Sequence, residues 1–171
     1  MMPGYFLCAA IAGLMSGVQP HQGLTHVEVA GFDDFSRSTP YFTPAQIKQL
    51  AAGGVWVCLT SKENVPYTYH AVTTDMSDLN TQEEMITRNM DAISLYFSDL
   101  LKPYIGTTNT TDEFLEQLNL VIQFACENFS VSTNTAIGPR IISYSIDSVE
   151  RDALLRDHVR VLLTVELPMA T

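Results

Sequence analysis

Apolar positions along this chain follow two periods, and the change from one to the other lays out its elements. Ile86, Met90, Ile93, Phe97 and Leu100 recur at helical spacing behind a capping box of Thr81 with Glu84, and Pro103 and Gly106 close the element. A second box, Thr110 with Glu113, opens a stripe of Phe114, Leu118, Val121, Ile122, Ala125 and Phe129. These patterns predict two long helices, held as near neighbours by the short connection IGTTNT. A shorter helix begins at Thr43 as N-cap, with Pro44 at its first position and Gln46 completing a box, and it stops at Gly53 and Gly54.

Elsewhere the period is two. In HVRVLLTVEL, residues 158–167, Val159, Val161, Leu163, Val165 and Leu167 share one face, while Arg160, Leu162, Thr164 and Glu166 share the other. IISYSIDSV, residues 141–149, alternates in the same way, and the polar connector ERDALLRD makes the two a hairpin that still has an outer edge to satisfy. VWVCLT, residues 55–60, reads as a buried strand paired with YTYHAVT, residues 67–73, and LTHVEVA as a short strand in an otherwise irregular stretch. Tyr5 to Val18 is apolar throughout, which predicts a buried helix where Gly13 and Gly17 let another backbone approach. The fold class is therefore α/β (α+β): a mixed β-sheet packed against two long helices, with a C-terminal strand pair available for inter-subunit sheet formation. One domain is expected, with an apolar core helix at 1–18, an irregular loop at 19–42, a core of helices and a hairpin at 43–138, and the strand pair and arm at 139–171.

Charge narrows the partners. Nine Lys and Arg stand against nineteen Asp and Glu, a formal net charge of -10, which argues against nucleic acid and against anionic membrane surfaces. The apolar start resembles a signal peptide only superficially, because the first basic residue is Arg37; it is also too short to span a bilayer, so no membrane insertion is expected. Cys8, Cys58 and Cys126 form no CxxC and are odd in number, which predicts reduced, buried thiols.

Catalytic chemistry is sparse. His21, His26, His70 and His158 are scattered, and no HExxH, GxSxG, P-loop or GxGxxG occurs. His21 and His26 flank a loop and read as solvated or hydrogen-bonded residues before they read as ligands. Asp33 and Asp34 are adjacent, hence on opposite sides of an extended backbone, and suit a solvated turn. Asn109 and Asn128 stand in sequons that mean little without secretion. Cys58 and His70 could meet across the predicted hairpin as thiol and imidazole, although an apolar strand keeps a thiol inert. The reading is of no catalytic residue, no cofactor and no metal, which leaves binding or assembly.

Taken in order, MPGYFLCAAIAGLMSGVQPHQGLTHVEVAGF, TPAQIKQLAAGGVWVCLTS, VTTDMSDLNTQEEMITRNMDAISLYFSDLLKPYIGTTNT and SIDSVERDALLRDHVRVLLTVELP resemble the C-terminal part of a contractile phage tail sheath protein. The resemblance spans nearly the whole chain and rests on block order, and related sheaths occur in pyocin-like and contractile injection particles. It implies a subunit of stacked rings around an inner tube, joined by strands shared between subunits and repacking on contraction without nucleotide. The residues it marks as inter-subunit strand contacts are Val159, Val161, Leu163, Val165, Leu167, Ile142, Tyr144 and Ile146. Implied partners are other copies of the chain, an inner tail tube protein, and baseplate and terminator proteins, in a virion tail assembled in a bacterial cytoplasm. Sheath proteins are typically longer, with an N-terminal arm and further domains, so the Tyr5–Val18 helix in a shortened chain would expose apolar surface and promote association. A tail adaptor or terminator is the alternative, and a small cysteine- or histidine-dependent enzyme a more distant one.

Overall fold

The computed structural model describes residues 4–32, 42–63, 65–131, 137–155 and 157–169. Asp33 and Asp34 lie outside the described residues. The elements run α1 (Tyr5–Gly17), α2 (Pro44–Ala52), β1 (Val57–Thr60), β2 (Pro66–His70), α3 (Leu79–Gln82), α4 (Glu84–Leu101), α5 (Asp112–Ser130), β3 (Ser143–Arg151) and β4 (Val159–Glu166), with a 3-10 turn over Lys102–Tyr104. The class is α+β. In place of one mixed sheet there are two antiparallel pairs, β1 with β2 and β3 with β4. Contacts gather the chain into two compact units, residues 1–88 and 89–169.

In the first unit α2 forms as its sequence dictates: the Thr43 side chain accepts from the Gln46 N–H, and the Gln46 side chain accepts from the Thr43 N–H at 2.8 Å. Its far end is fixed by Gly54, which has a φ of +77; a Cβ there would sit 2.8 Å from the Thr73 carbonyl oxygen. Gly54→Ala therefore combines a left-handed conformation with a backbone clash, and a loss of about 2–4 kcal/mol is expected in urea unfolding. A smaller loss than Gly53→Ala, whose Cβ would meet nothing closer than 3.4 Å, would contradict this.

Strand β1 is half-buried rather than buried, and it pairs with β2 around a register shift between Val57 and Cys58. LTHVEVA runs beside β2 without becoming a full strand: His26 N donates to Thr68 O, Thr68 N to Val27 O and Val29 N to Pro66 O, each at 2.9 Å. Thr68 is fully buried, and its hydroxyl bonds the Leu24 carbonyl.

The start of α4 differs from the sequence reading. Glu83 is extended and bridges to Val72, while Thr73 N donates to Gln82 O and Glu84 N to Ala71 O. With that strand-like pairing α4 begins at Glu84, three residues past the expected N-cap Thr81, and α3 stands as a separate turn before it. Thr81 consequently caps nothing; Asp78 caps α3 by accepting from Asn80 N.

Arg88, in the first turns of α4, holds the chain that follows α1. Its guanidinium donates to Met15 O at 3.1 Å, Pro20 O at 3.2 Å and Gln22 O at 2.6 Å, and lies 3.2 Å from Glu84. Met15 O is one of the terminal carbonyls that α1 cannot satisfy internally, so a cation there is doubly favourable. Helix α1 itself is the clearest correction: it forms over the expected span but buries no residue, and nothing lies within 4 Å of where a Cβ on Gly13 or Gly17 would stand. A helix apolar all round gives no sign of which face, if any, its own chain covers.

Candidate assembly interface

The second unit is built on α5. Its stripe of Phe114, Leu118, Ile122, Ala125 and Phe129 is buried as the spacing predicts, and Cys126 joins it. Thr111, not Thr110, is the N-cap, accepting from Phe114 N at 3.2 Å; with Phe114 at the third helical position the second expected capping box does not form. Ile93 and Ile141 complete the buried cluster, and Phe97, Leu101 and Tyr104 pack against it. Tyr96 and Phe97 both meet the Phe129 ring edge-on, with centroids 4.8 and 6.2 Å away.

A polar pin delivers the chain into the hairpin. Asn89, almost fully buried, donates to Arg140 O at 2.7 Å, and the Arg140 guanidinium lies 4.6 Å over the Phe129 ring. Phe129 O then accepts from both Arg140 N and Ile141 N. No periodic signal marks Asn89, because its partner is 51 residues away.

Hairpin β3–β4 pairs Ser143 with Glu166 at one end and Arg151 with Val159 at the other, with a register shift between Ile146 and Ser148. Burial alternates perfectly along β4. Of the eight residues marked as contacts, Tyr144, Ile146, Val159, Val161, Leu163, Val165 and Leu167 pack against the unit's own core, and Ile142 is exposed. The opposite face is largely polar, with Leu162 an exposed apolar exception, and is bonded to itself: Ser145 and Thr164 both donate to Asp147, Ser143 donates to Glu166, and Arg160 donates to Asp152. These bonds hold the Asp147 carboxyl below the ordinary carboxylate range, with Thr164 the larger cause, and Asp152 is lowered mainly by the Leu154 and Leu155 N–H groups. Ser148 Oγ, beside the register shift, is buried without a hydrogen-bond partner. The main chain along the hairpin's two edges has no third strand beside it among the described residues.

The other candidate chemistry does not come together. The register places Cys58 across from Thr68 and His70 across from Val57, while His70 Nε2 lies 2.9 Å from Glu83 Oε1. Burial, with a smaller contribution from Cys8, pushes the Cys58 thiol up to about 11, so little thiolate exists at neutral pH. Cys8 is exposed and Cys58 half-buried, so of the three thiols only Cys126 is buried as expected. His21 is buried, and His26 stacks on Tyr67 with its centroid 5.6 Å away. No group of three His, Cys, Asp or Glu among the described residues could hold a metal. No described helix is long and apolar enough to cross a membrane.

No protein-family model matches this sequence, and no curated protein matches it. Solved structures do. A chain of the anti-feeding prophage (AFP) baseplate matches with a TM-score of 0.76 at 14% identity, over 99% of this chain and 48% of that one. A chain of the AFP helical sheath in its contracted state matches with a TM-score of 0.74 at 13% identity, again over 99% and 48%. The sheath tail protein of Desulfitobacterium hafniense matches with a TM-score of 0.55 at 14% identity, over 81% of this chain and 33% of that one. The chain thus spans about half the length of the AFP chains whose fold it shares.

Proposed function

We propose that this chain, which has the fold of contractile sheath structures, is a structural subunit of a contractile sheath, joined to its neighbours by strands added at the edges of the β3–β4 hairpin. The carrying observation is that the inward side chains of that hairpin are already packed on their own core, while its edges have no neighbouring strand among the described residues. Side chains of Val159, Val161, Leu163, Val165 and Leu167 therefore act by fixing the strand on its own core, and the joint is made by main chain. Eight residues in β4 leave about four facing outward, each offering an N–H and a C=O. At roughly 0.5–1.5 kcal/mol net per bond, one added strand contributes several kcal/mol. Such bonds follow the backbone rather than particular side chains, so a joint of this kind survives reorientation of the subunits during contraction. The partners in this reading are further copies, an inner tube protein and the baseplate, in a phage-like tail made within a bacterial host.

Proline scanning tests it. Consecutive N–H groups alternate in direction along a strand, so of Leu162→Pro and Leu163→Pro one removes a bond inside the hairpin and the other only an outward donor. The wild-type chain is expected to form polymers or rings in negative-stain images. The outward proline should abolish them while circular dichroism stays near wild type. Polymers that persist with the outward proline would refute an edge-mediated joint. The AFP baseplate match favours a second reading, an adaptor or terminator that uses the same edge, and closed rings without tubes would select it.

A further inference from the structure

We infer that the outward face of α5 is a docking surface for a basic, amphipathic segment of a different protein. The helix is apolar on two opposite sides. Leu118 and Ile122 point into the core, and Leu120, two residues from each and so most of a half-turn round, is 63% exposed. Phe124, one turn on, is 66% exposed, and Val131, just past the helix end on the same side, is 64% exposed. Residues four apart on a helix are surface neighbours, so Leu120 and Phe124 form one apolar knob, where a solvated helix would carry polar residues.

The rim gives the partner's chemistry. Glu113 and Glu116 precede the knob on the same side and Glu127 follows it. Asp112, Glu113, Glu116 and Glu127 make four carboxylates on α5, which has no Lys or Arg to balance them. Glu113 is held ionised because the backbone and the Thr111 side chain both stabilise its charged form. An apolar patch ringed by carboxylates, of which Asp112 alone is in an ion pair among the described residues, is complementary to an apolar stripe flanked by Lys or Arg.

A second copy cannot readily supply that stripe. Of its seven described cations, Arg88 is committed to three carbonyls, Arg140 lies over Phe129, and Arg151 and Arg160 are paired with Asp112 and Asp152; Lys48, Lys62 and Lys102 stand on three separate segments and flank no common apolar stripe. With nineteen acidic residues to nine basic ones, another copy would bring like charge. The surface is independent of the hairpin joint, because it faces away from the core that the hairpin covers.

The test uses a fluorescent helical peptide with a leucine stripe flanked by lysines, and a twin with glutamates in place of the lysines, titrated against the full chain at low salt. The lysine peptide should bind, and Leu120→Gln with Phe124→Gln should weaken it at least about tenfold. Glu113→Lys with Glu116→Lys should reverse the preference between the twins. All four positions are exposed, so folding should be retained, which circular dichroism checks. Equal binding of the twins, or binding indifferent to the Leu120 and Phe124 changes, would overturn the inference. So would a wild-type oligomer that Leu120→Gln and Phe124→Gln dissolve, since the occupant would then be a second copy. Failure of the sheath reading appears separately, as missing polymers with peptide binding intact.

Discussion

Arg88→Ala should lower the stability of the first unit by about 3–5 kcal/mol, a large part of what a domain of this size possesses. The reason is the number of groups one guanidinium serves. Removing it leaves three main-chain carbonyls without their donor and abandons Glu84, whose side chain is 10% exposed, as an uncompensated charge. Arg88→Lys should recover only part of the loss, because an ammonium on a flexible stem cannot fork to Met15, Pro20 and Gln22 together. The single tryptophan, Trp56, belongs to this unit, so its fluorescence in urea reports the midpoint.

Protonation supplies an independent check. Burial raises the Glu84 carboxyl above its ordinary value, against the opposing pull of Arg88. A carboxyl raised in the folded state contributes stability that is complete below its unfolded value and is lost as pH rises through the folded one. Without Arg88 the carboxyl rises further, so the deficit of Arg88→Ala should be greatest at neutral pH and shrink as acid neutralises Glu84. Glu84→Gln in the Arg88→Ala background should recover stability at neutral pH and flatten that dependence. An unchanged Trp56 midpoint in Arg88→Ala would refute the clamp.

Ile122→Ala should cost the second unit about 2–5 kcal/mol, the range for emptying a fully packed aliphatic site. Ile122 is 1% exposed at the centre of the cluster on which the inward residues of β3 and β4 rest. Leu120→Ala, two residues away on the exposed side of the same helix, should change stability by less than about 0.5 kcal/mol. Urea unfolding followed by far-ultraviolet circular dichroism measures both. Because Val161 and Leu163 lean on this cluster, Ile122→Ala should also weaken assembly, whereas Leu120→Ala should leave hairpin-mediated polymers intact.

Local pattern revealed a good deal of this. The buried stripe of α5, the cap and stop of α2 and the alternation of β4 were all legible, because each depends on residues a few positions apart. Cap positions slipped where the sequence offered neighbouring candidates: Glu113 three residues on favoured Thr110 over Thr111, which is the N-cap, and Glu83 is extended where it bridges to Val72. Arg88 and Asn89 were invisible because their partners are 51 to 73 residues distant. Helix α1 was legible as a helix and not as an exposed one, since an all-apolar sequence carries no polar stripe to mark the solvent side. Six of the eight candidate contact residues lie on β3 and β4 and two, Ile142 and Leu167, just outside them; seven of the eight pack against the core of their own unit, an orientation that alternation alone does not distinguish from an outward one.

The register shift between Ile146 and Ser148 makes the two borders of the hairpin unlike each other: one is kinked, the other runs straight through eight residues. A visiting strand that fits the straight border would be out of step along the kinked one. In the proposed assembly, two straight borders joined to each other would close on themselves as a pair, whereas a straight border joined to a kinked one would repeat without end, so the shift separates a closed joint from an open-ended one.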